Sequence, residues 1–289
     1  MPEHSIGARG RTLLVLDAGD PHGRPVFALH GTPGARILWE GLVADAERRG
    51  IRLIGYDRPG YGGSDPAPGR AVVDAAEDIV AIADALGIER FAVEGGSGGG
   101  PHALACTQLP DRVVAVASLA GVAPWEAEGL DWLEGMGQDN LDEFGASLKG
   151  EDALRPYLEE QRRQMLGGDP QAIAETLDSL LCPPDRACLT GELAEFLHEQ
   201  IQTGLGDGVE GWLEDDFAFI EPWGFELDRI TVPVQVWHGA QDQFVPVAHG
   251  HWLAERIPGA EAHIYDEDGH LTLQMNRIGD VHAWLVEHF

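Results

Sequence analysis

Eleven residues, Arg90-Phe-Ala-Val-Glu-Gly-Gly-Ser-Gly-Gly-Gly100, restrict the folds open to this chain more than any other stretch. Phe91 to Val93 is a short apolar run and reads as a buried strand, while Pro101 to Leu109 reads as a helix with small residues on its inner side. Between them, Gly95-Gly96-Ser97-Gly98-Gly99 is a G-x-S-x-G. A strand that becomes a helix within so few residues strains the backbone at its centre, and the neighbours must lack side chains that would collide. The product is a hydroxyl held at the end of a sheet, with a helix N-terminus and the Gly98 N–H close by to meet negative charge. A phosphate cradle also places glycines after a strand, but it wants G-x-G-x-x-G, and Pro101 stands where the last glycine belongs. The stretch predicts a serine nucleophile.

Around this turn the chain alternates strand and helix. Leu13 to Leu16, Pro25 to Leu29, Ile51 to Tyr56 and Val113 to Leu119 read as strands, and the continuous apolar run Pro25 to Leu29 suits a strand covered on both faces. Ile37 to Arg49 and Val72 to Leu86 have helical spacing, each followed by a glycine stop. From about Val122 to Gly224 the rhythm breaks, and only helical patterns appear: Leu154 to Leu166, Ala172 to Leu181 and Leu189 to Thr203. It returns with a strand at Val232 to His238, a helix at Val247 to Ile257, a strand at Ala262 to Tyr265 and a closing helix from about Asn276 to His288. This spacing predicts an α/β fold with a mostly parallel sheet flanked by helices. Residues 1–121 and 225–289 would form the core, and residues 122–224 an inserted all-helical cap.

Composition excludes several functions. The 289 residues and 44% hydrophobic content suit one packed α/β domain with a sizeable insertion. The polar start Met1-Pro-Glu-His-Ser carries no signal-peptide pattern and the apolar runs stop at strand length, so a cytoplasmic protein away from membranes is expected. Cys106, Cys182 and Cys188 are an odd set without metal-ligand spacing, which reads as free thiols, and neither a metal nor a cofactor is expected. A net charge of −30 repels phosphate, so nucleic acid and anionic membranes are not expected partners. A small-molecule substrate is, and a homodimer is compatible with this composition.

A serine hydroxyl needs a general base, and the base needs a group that fixes its tautomer. His238-Gly-Ala-Gln-Asp242 puts Asp242 in the loop after one strand, and Asp266-Glu-Asp-Gly-His270 puts His270 in the loop after the next. Loops at the C-terminal ends of parallel strands share one edge of the sheet, so Ser97, Asp242 and His270 converge there. Asp266 and Asp268 lie beside His270 and compete with Asp242 for the orienting role, as does Glu126 more weakly. His30 and His238 read as loop braces, His102 as structural, His249, His251 and His263 as surface or helix histidines, and Asp57 with Arg58 as a buried turn-bracing set.

Five motifs occur in order: His30-Gly31-Thr32-Pro33-Gly34, Asp57-Arg-Pro-Gly-Tyr-Gly-Gly-Ser64, the turn at Ser97, His238-Gly-x-x-Asp242 with Val245-Pro246, and Gly269-His270. Over essentially its whole length the chain resembles an α/β-hydrolase with a helical cap. The resemblance implies Ser97 as nucleophile, His270 as general base and then acid, and Asp242 as orienter. It also implies an oxyanion hole from the N–H groups of Thr32 and Gly98, Pro33 having no N–H to give. Relatives that displace halide or open epoxides carry aspartate at the turn, so serine leaves acyl transfer to water. The expected activity is that of a carboxylesterase-like hydrolase acting on an ester, thioester or lactone.

The cap segment holds 24 Asp/Glu against five Lys/Arg, which is −19 of the −30. Either these acids are solvated helix faces, or some of them face the pocket and select a cation, as in the prolyl aminopeptidases that the chain resembles in broad plan. Those enzymes favour glycine where Thr32 stands and a bulky residue where Gly98 stands, so an aminopeptidase is the alternative reading. A non-hydrolytic ligand-binding protein on the same fold is a third. Trp125 and Trp223 are the expected substrate contacts, with Trp132, Trp212, Phe217 and Phe219 as further candidates for an apolar pocket.

Overall fold

In the computed structural model, which describes all 289 residues, the apolar runs pair into one eight-stranded sheet. In chain order the elements before the cap are β1 (Glu3–Ala8), β2 (Arg11–Gly19), β3 (Arg24–Leu29), α1 (Glu40–Arg49), β4 (Ile51–Tyr56), α2 (Ala75–Ala85), β5 (Phe91–Gly96), α3 (Gly99–Ala105) and β6 (Val113–Leu119). Then come α4 (Gln138–Ser147), α5 (Glu151–Gly167), α6 (Ile173–Thr176), α7 (Pro183–Cys188), α8 (Gly191–Leu205) and α9 (Glu210–Ile220). The chain closes with β7 (Val234–Gly239), α10 (Val247–Arg256), β8 (Glu261–Tyr265) and α11 (His270–Val286). The strand order is β1-β2-β4-β3-β5-β6-β7-β8, with β1, β2 and β4 paired antiparallel and every other neighbour parallel.

Side chains alternate across each strand, so one strand feeds two cores. On β5, Phe91 and Val93 join the cluster under α2, α3 and α10 with Phe27, Ile79, Leu104 and Leu253. Ala92 joins the cluster under α1 and α11 with Val26, Leu53, Ala117, Leu273 and Leu285. All seven residues of β6 are buried, which is why its sequence is apolar but for Ser118. Between β6 and β7 the chain forms helices and no strand, and these bury a third cluster around Leu154, Leu158, Leu205 and Trp212.

Several elements depart from the expected boundaries, three of them through identifiable side-chain contacts. The helix expected from Ile37 starts at Glu40, because Gln200 of α8 takes the backbone first: its Oε1 accepts from Ala35 N at 2.6 Å and its Nε2 donates to Ile37 O. The closing helix starts at His270, six residues before the expected Asn276, because Asp185 of α7 accepts from the N–H groups of His270, Leu271 and Thr272. Of the helix expected over Ala172 to Leu181 only a short piece forms. Ser179 instead ties the chain to the start of α4, accepting from Asp139 N and donating to Asp139 Oδ2. Glu3–Ala8, read only as a polar start, forms an edge strand on β2.

Candidate active site

Ser97 stands between β5 and α3 with φ +54°, one of three non-glycine residues with positive φ. A Cβ at Gly99 would lie 2.2 Å from Leu29 O, so glycine is what lets the start of α3 press against the end of β3. The strained turn is pinned by Ser97 N donating to Leu119 O and Gly100 N donating to Ser97 O, both at 2.8 Å. Strained residues of this kind cluster at functional sites, which makes this turn the candidate position for a nucleophile.

The structure brings His270 and Asp242 together. His270 Nδ1 donates to Asp242 Oδ2 at 2.7 Å, while Asp242 Oδ1 accepts from Phe244 N and Val245 N at 2.8 and 2.9 Å. The carboxylate therefore cannot swing, and it fixes Nδ1–H so that Nε2 is the free base. Phe244 stacks on the imidazole with ring centroids 4.5 Å apart. Burial alone would lower the His270 pKa, but the Asp242 charge and hydrogen bond outweigh it, with Asp185 adding to them, and the value lies above the usual 6.5. Asp268, the competing orienter, is instead occupied by Asn276 Nδ2 and Arg277 Nε, both at 2.7 Å.

Thr32 and Gly98 share one space. A Cβ on Gly98 would fall 2.2 Å from Thr32 Oγ1 and 3.0 Å from Phe219 Cζ. The two departures from the aminopeptidase pattern are thus a single exchange, with the bulk moved from position 98 to position 32. The N–H groups of Thr32 and Gly98 belong to no ladder and donate to no acceptor in the chain.

Beneath Thr32 lies a buried ionic knot that the sequence did not disclose. Asp215 of α9, fully buried, accepts from Thr32 Oγ1 at 2.6 Å, Arg58 Nη2 at 2.6 Å, Arg70 Nη2 at 2.5 Å and Tyr61 Oη at 2.9 Å. Arg58 also donates to His30 O, to Gly31 O at 2.9 Å and to Thr32 Oγ1 at 3.0 Å, so it laces the loop that carries the Thr32 N–H. Burial would raise the Asp215 carboxyl, but Arg58 and Arg70 outweigh it and hold the group well below its ordinary range. Burial and the Arg58 charge push His102 down to about 3, so its neutral ring donates from Nδ1 to Gly98 O at 2.8 Å. Arg58 N donates to His30 Nε2, and His238 Nε2 donates to Val245 O. His249, read as a surface or helix residue, is fully buried in α10 and joins Ala123 N to Trp132 O.

Ser97, His270, Thr32 and His30 line a cavity of about 240 Å³. The helices between β6 and β7 line it with Met165, Leu177, Leu193, Phe196, Leu197 and Ile201 and one polar residue, Gln200, whose amide is held by the backbone of Ala35 and Ile37, and with no carboxylate. Trp125 and Trp223, expected as substrate contacts, are not in its wall. Trp125 packs on Trp132, with centroids 5.1 Å apart, and Trp223 is buried against Phe225. Trp132 donates from Nε1 to Ala123 O and Trp212 to Glu143, so Trp125, Trp132 and Trp223 pack in the first cluster and Trp212 in the third, and none lines the cavity. Sequence patterning marks such residues as apolar but not which side they face.

Residues 24–274 match the model of the alpha/beta hydrolase fold. The chain belongs to this family. The AB hydrolase superfamily protein YisY of Bacillus subtilis is 39% identical over 264 residues, covering 90% of this chain and 88% of its own. The pimeloyl-[acyl-carrier protein] methyl ester esterase of Chromobacterium violaceum is 30% identical, covering 91% of each. The structure of a thermophilic esterase from Thermogutta terrifontis superposes with a TM-score of 0.71 over 100% of both chains at 22% identity, a likeness of fold. Other relatives bear names as different as non-heme chloroperoxidase and proline iminopeptidase. No helix of this α/β-hydrolase is long and apolar enough to cross a membrane.

Proposed function

We propose that this α/β-hydrolase is a serine esterase that cleaves a carboxylic ester, thioester or lactone through an acyl-enzyme on Ser97. The observation that carries the reading is the cavity itself. A strained serine and a carboxylate-fixed histidine face one space whose helical wall is apolar apart from Gln200, which suits a hydrophobic limb beside a reacting carbonyl. His270 Nε2 takes the Ser97 proton as Oγ attacks the carbonyl carbon, and Asp242 stabilises the imidazolium that results. The oxyanion is held by the N–H groups of Thr32 and Gly98, both free of other acceptors. The imidazolium then protonates the leaving alkoxide, and a water, deprotonated by the same nitrogen, releases the acid.

The reading in which cap acids select a cation receives no support from the cavity, because the acids nearest the site are already engaged. Asp215 braces Thr32, and Asp185 caps α11. The test compares p-nitrophenyl butyrate with L-proline p-nitroanilide, using wild type and Ser97→Ala. Turnover of the ester that vanishes in the variant is expected. Preference for the amide, or equal rates in both proteins, would overturn the reading.

A further inference from the structure

Glu94 lies three residues before Ser97 on β5 and lines the same cavity, yet the reaction described above gives it no task. Only 4% of it is exposed. Strand alternation turns it toward the α1 and α11 layer, where its cross-strand neighbours are Ala28 and Ala117, two residues without hydrogen-bonding side chains. A charge in a strand covered on both faces is costly unless it is met.

One oxygen is met. Oε1 lies 3.4 Å from His282 Nε2 as an ion pair, and His282 Nδ1 donates to Asp45 Oδ2 at 2.8 Å. Asp45 in turn accepts from Arg48 and Arg49 at 2.7 and 2.8 Å. Burial would lower the His282 pKa, but Glu94 and Asp45 outweigh it, so the ring is held protonated above the usual range. This row ties β5 to α11 and α11 to α1, which is a structural use of Oε1 alone. Oε2 is buried without any partner.

The row already holds an excess of cations, since two carboxylates face one imidazolium and two guanidinium groups. The open oxygen therefore calls for a neutral donor and not for a second cation. Gln274 of α11 hangs over Gly96, within about 3.0 Å of where a Cβ would stand, and it lines the cavity between Ser97 and this oxygen's strand position. Its amide can both give and accept a hydrogen bond, as a hydroxyl can.

We propose that Glu94 Oε2 anchors a substrate hydroxyl, so that the ester cleaved at Ser97 carries an alcohol group at the far end of an apolar limb. The inference rests on the esterase reading. Three residues of strand span about 10 Å, which suits a limb of about eight bonds.

The experiment measures kcat/KM for two matched pairs, p-nitrophenyl 8-hydroxyoctanoate against octanoate and 8-hydroxyoctyl acetate against octyl acetate. Wild type is expected to prefer the hydroxylated member of one pair by roughly 10- to 100-fold, the worth of a hydrogen bond to a buried charge. Glu94→Leu should abolish that preference, and the isosteric Glu94→Gln, which keeps the packing, should reduce it severalfold. No preference in wild type for either pair, or an undiminished one in Glu94→Gln, would overturn the inference. Should wild type cleave none of the four esters, the esterase reading fails by itself. Binding of 8-hydroxyoctanoate against octanoate, measured by calorimetry on Ser97→Ala with and without Glu94→Gln, then decides the role of Glu94. Tighter binding of the hydroxy acid that Glu94→Gln removes supports it, and equal binding refutes it.

Discussion

Replacing Asp215 by asparagine keeps the shape of the side chain while removing the one charge that Arg58 and Arg70 share. Both guanidinium groups are buried, with side-chain exposures of 1% and 5%, so neither can turn to solvent. Breaking a buried pair by deleting one partner costs about 3–5 kcal/mol. At about 2–4 °C per kcal/mol for a domain of this size, Tm should fall by roughly 6–20 °C. The effect also reaches the chemistry, because Asp215 and Arg58 together fix the hydroxyl of Thr32 and the carbonyls of His30 and Gly31. Losing an oxyanion donor outright costs about 100- to 1000-fold in kcat, so a displaced one should cost about 10- to 100-fold, with KM little changed. Thermal unfolding followed by circular dichroism and steady-state kinetics well below Tm separate the two effects. Asp84→Asn serves as the control, its pair with Arg112 being 63% exposed on the acid side and worth less than about 1 kcal/mol. An Asp215→Asn protein within about 2 °C and twofold in kcat of wild type would refute the bracing argument.

Further outcomes follow from the same geometry. His270 must be neutral to act as base, and its pKa is raised, so kcat/KM should fall on acidification with a midpoint above 6.5. Asp242→Asn should shift that midpoint down and lower kcat by up to about 10⁴-fold, and an unmoved midpoint would detach the limb from this pair. Glu143, raised to about 7 by burial, with the Asp139 charge adding to it against the hydrogen bonds to Trp212 and Asp216, keeps its proton in the folded chain after the unfolded chain has lost it. Its ionisation thus costs about 3 kcal/mol as pH rises from about 4.5 past 7, at about 1.36 kcal/mol per unit. Glu143→Gln should therefore raise Tm more at pH 8 than at pH 4, and an equal change at both would contradict this. Gly98→Ala should cost about 1–3 kcal/mol and most turnover by driving a methyl into Thr32, and adding Thr32→Gly should restore stability. Strict additivity in that double-mutant cycle would show that the two positions do not share a space.

What the sequence disclosed and what it hid have separate physical causes. Ser97, Asp242 and His270 stand where apolar runs end, and a parallel sheet gathers such ends at one edge, so periodicity put them on that edge while the motifs and the resemblance chose Asp242 over Asp266 and Asp268. Asp185 and Asp215 were invisible for the opposite reason. In a segment with 24 acids, a carboxylate that caps a helix or pairs with two arginines looks like any solvated one. The usable signal lay elsewhere in the chain, in Arg58 and Arg70, which needed a buried partner that the core does not supply. Trp125 and Trp223 misled because an aromatic ring in a helical segment fills a core as readily as it lines a cavity. Glu94 drew no notice in the sequence although it is an acid closing the run Phe-Ala-Val, and only the unpartnered oxygen gives it a direction.

The central claim is that Ser97 is acylated during turnover. Rapid mixing of wild type with excess p-nitrophenyl butyrate, followed by acid quench and intact mass measurement, tests it without assuming a natural substrate. A butyryl adduct on the peptide containing Ser97, formed at the rate of any burst and absent from Ser97→Ala, is the predicted result. Turnover at full rate without an adduct, or an adduct that persists in Ser97→Ala, would contradict the account.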